Sequence, residues 1–445
     1  MPWQNQRMAK NKKIVILGGG PAGIGAGWRL KELDYQNWEL HEKENFLGGL
    51  SASFKDKKGF VWDNGGHIYF SKNDYFNKMF RKLMGKDFFK KERFQYIWWN
   101  NKLVPYPFQN HIRHLPPRDF IECLWGMYGN KKMKPKNFLE FNLAVFGSGI
   151  TKHFMLPYNE KVWAHPLNKM SFDWVAERVS KIDFKKSLEN IILERDERNW
   201  GPNFYFSYPR EGGAGNFWAR FLPRIKDNIT LNSKLTKISF KNRTVSLKND
   251  SAIKYDYCIS TLPIDSLVYN SDAPKDIKKV AQNLVYNSGL ILGFGIKGKQ
   301  PEFLKDKIAF YFPQKDILFQ RMVILKNFSP QTSPKNHWSL MFEASFSRQK
   351  LLKKDLVKNV IHFVKSQKWI KAKKDIISVY LREIKYFYPI PTIERDKNLR
   401  KIQKFLKKNN VFSIGRFGGW KYEIGNMDHS FMQGVEIINK MLSTR

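Results

Sequence analysis

Gly18, Gly20 and Gly23 fall in the order G-x-G-x-x-G within "KKIVILGGGPAGIGAGWRLKEL" (residues 12–33). Each has a separate task in holding a dinucleotide. Gly18 allows a tight turn out of a strand, Gly20 lets backbone reach a pyrophosphate, and Gly23 lets the next helix pack close to the sheet. Ala22 sits in the same turn, where a helix N-terminus offers N–H donors to an anion. Glu42 closes the next apolar run, "NWELHEK", about 20 residues further on. A carboxylate there can accept hydrogen bonds from both hydroxyls of an adenosine ribose. The glycine triplet alone is a weak signal, but here strand, turn and helix occur in order.

The elements around these residues carry the same message. Ile14 to Leu17 form a short, continuously apolar run, as expected of a strand buried on both faces of a parallel sheet. "IGAGWRLKEL" follows at helical spacing. A second glycine pair then appears in "NFLGGLSASF", and a third in "GFVWDNGGHIYF" (59–70). This second cluster resembles the flavin branch of the Rossmann group, and a plain NAD dehydrogenase has no use for it. On that resemblance Gly48, Gly49 and Leu50 pass close to the diphosphate and ring of FAD, and Gly65, Gly66 and His67 place a backbone turn beside the isoalloxazine. At the far end, "VFSIGRFGGWKYEIGNMDHSFMQGVEIINKML" (411–442) reads as a buried strand and an amphipathic helix beginning near Asp428. FAD enzymes of this build aim such a helix N-terminus at the flavin N1–C2=O edge, where it stabilises negative charge. Both chain ends therefore belong to one nucleotide-binding domain.

A chain of 445 residues exceeds one compact core. Its apolar content of 42% excludes a disordered or collagen-like polymer. No apolar run approaches the roughly 18 residues of a membrane span. The start, "MPWQNQRMAKNKK", lacks the apolar middle of a secretory signal. It reads as a disordered basic leader (1–10), with Met8 an alternative start. Two cysteines, Cys123 and Cys258, make neither a disulfide framework nor a metal site, so a reducing cytoplasm is expected. The net charge of +38 is spread along the chain in runs such as "KDKK", "KKMKPK" and "KAKKD". That spread reads as a solvated lysine-rich surface with no specific nucleic-acid partner, since nucleic-acid binders concentrate charge on one face or tail.

Between the two ends, residues 110–200 carry apolar residues at helical spacing, residues 230–262 alternate as strands, and 285–345 hold several β-rich runs. "KDLVKNVIHFVKSQKWI" reads as a helix packed on that sheet. The fold class expected is α/β: a discontinuous Rossmann-like FAD-binding domain with an inserted helical domain and an antiparallel β-sheet domain. The boundaries drawn are 11–90, 204–275 and 406–445 for the FAD-binding domain. The β-sheet domain takes 91–109 and 276–405, and the helical substrate-binding domain 110–203.

"WDNGGHIYFS", "LVPYPFQNHIRHLP", "FMLPYNEKVWAHPLNKMSFDWVAERV", "NWGPN" and "RFGGWKYEIGNMDHSFMQGVE" resemble UDP-galactopyranose mutases, most closely the eukaryotic type. The match runs collinearly over about residues 11–440. It implies a flavoenzyme that interconverts UDP-galactopyranose and UDP-galactofuranose for cell-surface glycan biosynthesis, with N5 of reduced FAD as nucleophile on the anomeric carbon. The resemblance assigns Arg178 and Arg321, with His67, to catalysis, the two arginines clamping the diphosphate. Tyr311, Tyr388 and Tyr422 would donate hydroxyls to the same phosphates. Phe154, Asn159, Trp163 and Asn203 would line the uridine and sugar end. Leu235, Arg416, Asn426, Met427 and Ser430 join Gly18, Gly20, Ala22, Gly23, Glu42, Gly49, Leu50, Gly66 and His67 as cofactor contacts.

"PYNEKVW" (157–163) follows neither a helical nor a strand period. It is expected to be an irregular segment pinned by Pro157, with Glu160 and Lys161 on the surface. For Trp163 the competing role is a helix-bundle anchor. Two residues depart from the family pattern: Phe328 replaces a usual phosphate-binding tyrosine, and Met427 replaces a glutamine beside the flavin. UDP-galactose is the expected partner and NADPH or NADH a candidate reductant; self-association into a homo-oligomer is compatible with this reading. The alternatives are an FAD-dependent amine or porphyrinogen oxidoreductase, and a mutase for another UDP-sugar.

Overall fold

The computed structural model describes residues 11–129, 133–175, 184–196, 204–248, 252–352 and 355–442. The leader 1–10 lies outside them.

A five-stranded sheet has the order Val411–Ser413, Tyr257–Ser260, Ile14–Leu17, Trp38–His41, Ile229–Thr230, and every neighbouring pair is parallel. Ile14, Val15, Ile16 and Leu17 are all buried, as a strand covered on both faces requires. The helix Pro21–Glu32 covers one face beside the last helix, Met427–Leu442. Their backbones touch: a Cβ on Gly434 would lie 2.1 Å from the Ala22 carbonyl oxygen. The first and last segments of the chain thus close one nucleotide-binding unit.

A seven-stranded sheet runs Ile376–Pro389, Tyr286–Lys297, His337–Phe346, Arg321–Val323, Ala309–Tyr311, Gln95–Trp99, Lys102–Pro105. It is antiparallel except where Ala309–Tyr311 meets Gln95–Trp99. Side chains alternate between its faces. Phe310, Met322 and Phe342 point to one side, into a core shared with Leu356, Val360 and Val364 of the helix Leu356–Ser366. Tyr311, Arg321 and Glu343 are direct cross-strand neighbours in the next register row and so point to the opposite side.

Two helices, Lys275–Gln282 and Arg395–Lys408, cross the boundaries drawn at 275/276 and 405/406. Both pack with Val15 and Cys258 of the parallel sheet through Ile277, Ala281, Leu399, Ile402 and Leu406.

The helical region comprises Pro117–Tyr128, Phe138–Ile150, a π-turn at Thr151–Met155, Leu156–Trp163 and Phe184–Ile192. "PYNEKVW" is therefore helical, against expectation. Pro157 removes a backbone donor near the helix start, and the wider π-turn before it accommodates that loss. Among the described residues no helix is long and apolar enough to cross a membrane.

Candidate active site

The glycine turn opens onto free space at one residue only. A Cβ on Gly23 would lie 1.9 Å from the Gly18 carbonyl oxygen, whereas one on Gly20 would meet nothing within 4 Å. Gly18 itself has φ +99°, and Gly49, at φ +53°, comes close to Gly20 from the other side. Two glycine turns thus face each other where a pyrophosphate needs backbone N–H groups. Glu42 is buried beneath them. Its Oε2 accepts from Gly19 N at 2.6 Å and its Oε1 from Glu44 N at 2.9 Å. Burial pushes its carboxyl up. Each oxygen keeps a second lone pair for a ribose hydroxyl. Ala22 is buried at the first turn of the helix Pro21–Glu32. Leu235 begins a strand and packs against the cluster that holds Leu17.

Leu50, Asn64, Gly65, His67, Arg321, Phe387, Tyr388 and Arg416 line one narrow cavity. Six of these are expected at the site from the sequence, and the fold brings them together. The turn beneath them is fixed from two sides. Gly66 N donates to Glu343 Oε1 at 2.9 Å. Behind it, Asp63 is fully buried and accepts from Ser53 Oγ, Tyr208 Oη and Ala214 N. Burial outweighs those donors and raises the Asp63 carboxyl to about 6. His67 is pushed the other way, to about 3, by burial and by the nearby charges of Arg416 and Arg321. It is neutral at physiological pH, which suits a group lying against a ring rather than one carrying charge.

Arg321 reaches this cavity from the seven-stranded sheet. Its Nη2 lies 2.7 Å from both Oε1 and Oε2 of Glu343, whose side chain is 1% exposed. Burial alone would disfavour the guanidinium charge, but Glu343 holds it firmly protonated. The Nε of Arg321 is buried without a hydrogen-bond partner, as are His67 Nδ1 and Asn64 Oδ1. Three orphaned polar atoms on residues of one cavity imply a polar ligand, because unpaired buried groups are costly. Those atoms and the open side of Gly20 fit FAD.

The tyrosines form a wall beside Arg321. Tyr388 and Tyr422 rings are 5.6 Å apart, and Trp163 packs on both, at 6.0 Å and 5.0 Å. Tyr311 contacts Tyr106 at 4.9 Å and Tyr158 at 5.5 Å. Burial pushes the Tyr388, Tyr158 and Tyr106 hydroxyls upward, so they remain donors throughout the accessible pH range. The guanidinium of Arg416 lies 5.9 Å from the Tyr388 ring, and its Nε donates to Gly425 O.

Of the residues expected at the uridine end, Phe154, Asn159 and Trp163 fall among the described residues. Phe154 is sandwiched between Phe108 and Tyr158, at 4.9 Å and 5.1 Å, so both of its faces are taken. Asn159 spends its amide locally, donating to Met155 O at 2.7 Å and accepting from Trp163 Nε1 at 3.2 Å. Trp163 is 1% exposed and anchors a cluster with Trp174 and Met170. These contacts are those of a bundle anchor. Lys161 is not on the surface. Its Nζ is buried and donates to Phe312 O at 2.6 Å and Gln314 O at 3.0 Å.

Arg178 and Asn203 lie outside the described residues. Asn426 and Met427 stand at the start of the last helix, where Ser430 N donates to Asn426 O at 2.8 Å. Phe328 is a core residue packed on Phe206 and Tyr208. Sequence reasoning missed Glu343, Asn64, Phe387, Tyr106 and Tyr158. An acid inside the apolar run "HWSLMFEASF" was the available signal for Glu343, since a buried carboxylate demands a partner.

The comparisons agree with this geometry. The model of the family of flavin-containing amine oxidoreductases matches residues 21–389. A crystal structure of reduced UDP-galactopyranose mutase is 38% identical, with a TM-score of 0.94, covering 97% of this chain and 94% of that one. A fatty acid isomerase from P. acnes is 14% identical (TM-score 0.68; 98% of this chain and 100% of that one). A putrescine oxidase bound to putrescine is 13% identical (TM-score 0.64; 96% and 99%). At such identities the last two show the fold alone. With FAD the cofactor that the family and the cavity both indicate, the chain belongs to the flavin-containing amine oxidoreductase family, and a UDP-galactopyranose mutase resembles it over nearly its whole length.

Proposed function

We propose that this protein is a UDP-galactopyranose mutase of the eukaryotic type, interconverting UDP-galactopyranose and UDP-galactofuranose. One observation carries the reading: a Glu343-braced arginine, flanked by Tyr388 and Tyr311, stands on the same cavity as the glycine–histidine turn. An amine or porphyrinogen oxidase needs an apolar or amine-binding cavity and has no use for a cation there. The likeness to a reduced mutase structure supports the same choice.

When bound and reduced, FAD would supply the nucleophile, its N5, toward the anomeric carbon of the sugar. The residues of this chain then have three tasks. Arg321, with Arg178 proposed as its counterpart, neutralises the diphosphate in the fork geometry that suits phosphate oxygens. Tyr311, Tyr388 and Tyr422 add hydroxyl donors. Together they keep the detached UDP at high effective concentration until it returns. Neutral His67 contributes shape and an unpaired ring nitrogen without adding a charge beside Arg321 and Arg416. NADPH or NADH is proposed as the source of electrons. Incubating the dithionite-reduced protein with a panel of UDP-furanoses and pyranoses tests the reading, and also separates UDP-galactose from other UDP-sugars.

A further inference from the structure

The helix Pro117–Tyr128 exposes an apolar stripe on the side away from its own core. Ile121 is 61% exposed, Trp125 72% and Tyr128 71%. They recur at four and three residues, which places them on one face. Trp125 and Tyr128 also touch each other, with ring centroids 5.8 Å apart. The helix Phe184–Ile192 runs antiparallel alongside. Phe184 at its start meets Tyr128, while Asp196 just beyond its end is held by Arg113 and His114, just before the first helix. Ile192 and Leu193, 69% and 53% exposed, therefore lie toward the Ile121 end of this helix pair.

The charge around this stripe is mainly positive: Lys185 and Arg195 are exposed beside Glu189 and Glu194 on the neighbouring segment, and basic side chains dominate the rest. Arg118 on the same face is almost fully exposed. Glu122 is engaged by Lys152 and His153, and Asp119 accepts from the Trp99 indole. Directly after the helix the sequence continues "NKKMKPK" (130–136), with Met133, Lys134 and Lys136 exposed. Large apolar side chains left in water need an occupant. Aromatic residues bordered by lysines match the boundary between acyl chains and anionic headgroups, where tryptophan and tyrosine settle and lysines gain from surface potential.

We propose that this face docks the enzyme on an anionic lipid bilayer, with Ile121, Trp125 and Tyr128 entering the headgroup boundary. The whole-protein charge of +38 supplies long-range attraction, and the stripe makes it a specific, oriented contact. The docking surface is separate from the flavin cavity and does not depend on which sugar the enzyme uses.

The test is cosedimentation of the flavin-bound full chain with vesicles of phosphatidylcholine alone or mixed with phosphatidylglycerol. Binding is expected only to the mixed vesicles. The double variant Ile121→Ser/Trp125→Ser leaves the charge unchanged, and its partition is expected to fall roughly tenfold or more. Lys134→Glu/Lys136→Glu is expected to weaken binding and to flatten its dependence on salt. Equal binding by the serine variant would show mere charge adsorption and overturn the proposal. So would no binding at all, or self-association in sedimentation velocity that the serine substitutions abolish without any vesicle binding, which would assign the face to a second copy. Retained flavin and an unchanged circular-dichroism spectrum establish that the variants fold.

Discussion

Both carboxylate oxygens of Glu343 lie 2.7 Å from a single nitrogen, Nη2, of Arg321, and Oε1 also accepts from Gly66 N at 2.9 Å. One buried acid therefore fixes the anion-binding arginine and the turn beside the flavin position relative to each other. Glu343→Gln keeps the shape and removes the charge. Its kcat/KM for the nucleotide sugar is expected to fall by about tenfold or more, with flavin still bound. Glu343→Ala strands a buried guanidinium and is expected to cost about 3–5 kcal/mol in urea unfolding. Wild-type kinetics in Glu343→Gln would remove its positioning role.

The second and third glycines of the G-x-G-x-x-G turn predict opposite outcomes. Gly23→Ala forces a Cβ to 1.9 Å from a carbonyl oxygen, and failure to fold or a large loss of stability is expected. Gly20→Ala meets nothing within 4 Å, so the apoprotein is expected to fold normally. Its methyl would occupy the space assigned to the pyrophosphate, and flavin content after purification is expected to drop severely. Full yellow colour in Gly20→Ala would place the diphosphate elsewhere.

Asp63 gives a pH signature. Its carboxyl rises from 3.8 to about 6 in the fold. Between those values the native state holds a proton that the unfolded chain has released, so this group's contribution to stability falls as pH rises. Asp63→Asn cannot titrate. The stability difference, wild type minus Asp63→Asn, is expected to shrink by about 2 kcal/mol from pH 4 to pH 7. Urea unfolding across that range checks it, and a difference independent of pH contradicts it.

Lys161 ties the helix Leu156–Trp163 to the strand end after Tyr311 through two carbonyl oxygens, those of Phe312 and Gln314. Burial holds its amine well below the usual lysine range. Lys161→Met keeps the packing but leaves both acceptors unpaired, so a loss of about 1–3 kcal/mol is expected in urea unfolding. Its KM for the nucleotide sugar is expected to rise as Tyr311 loosens. Unchanged stability would mean that water satisfies both carbonyls.

What was legible in the sequence followed from short-range rules. The turn at Gly18–Gly23 and the strand Ile14–Leu17 obey local backbone and burial constraints, and the strand runs around 285–345 announce themselves by alternation. The misreadings share a different cause. Pro157, Lys161 and Trp163 are all buried, so the helix carrying them is covered on several sides and shows no clean period. Lys161 looked solvated because its acceptors lie about 150 residues away in sequence. Glu343 was missed because its meaning depends on cross-strand register with Arg321, which only the folded sheet supplies. Asn159 has an amide suited to a pyrimidine, yet its own helix claims it first.

The central claim is that reduced flavin and an arginine-held UDP together exchange the ring form of a sugar. The most direct measurement mixes the dithionite-reduced protein with UDP-galactofuranose and separates the products chromatographically, beside the oxidised protein and Arg321→Ala. The account predicts UDP-galactopyranose from the reduced wild type alone, with flavin still bound in Arg321→Ala. Equal conversion by the oxidised protein, or none by the reduced one, would contradict it.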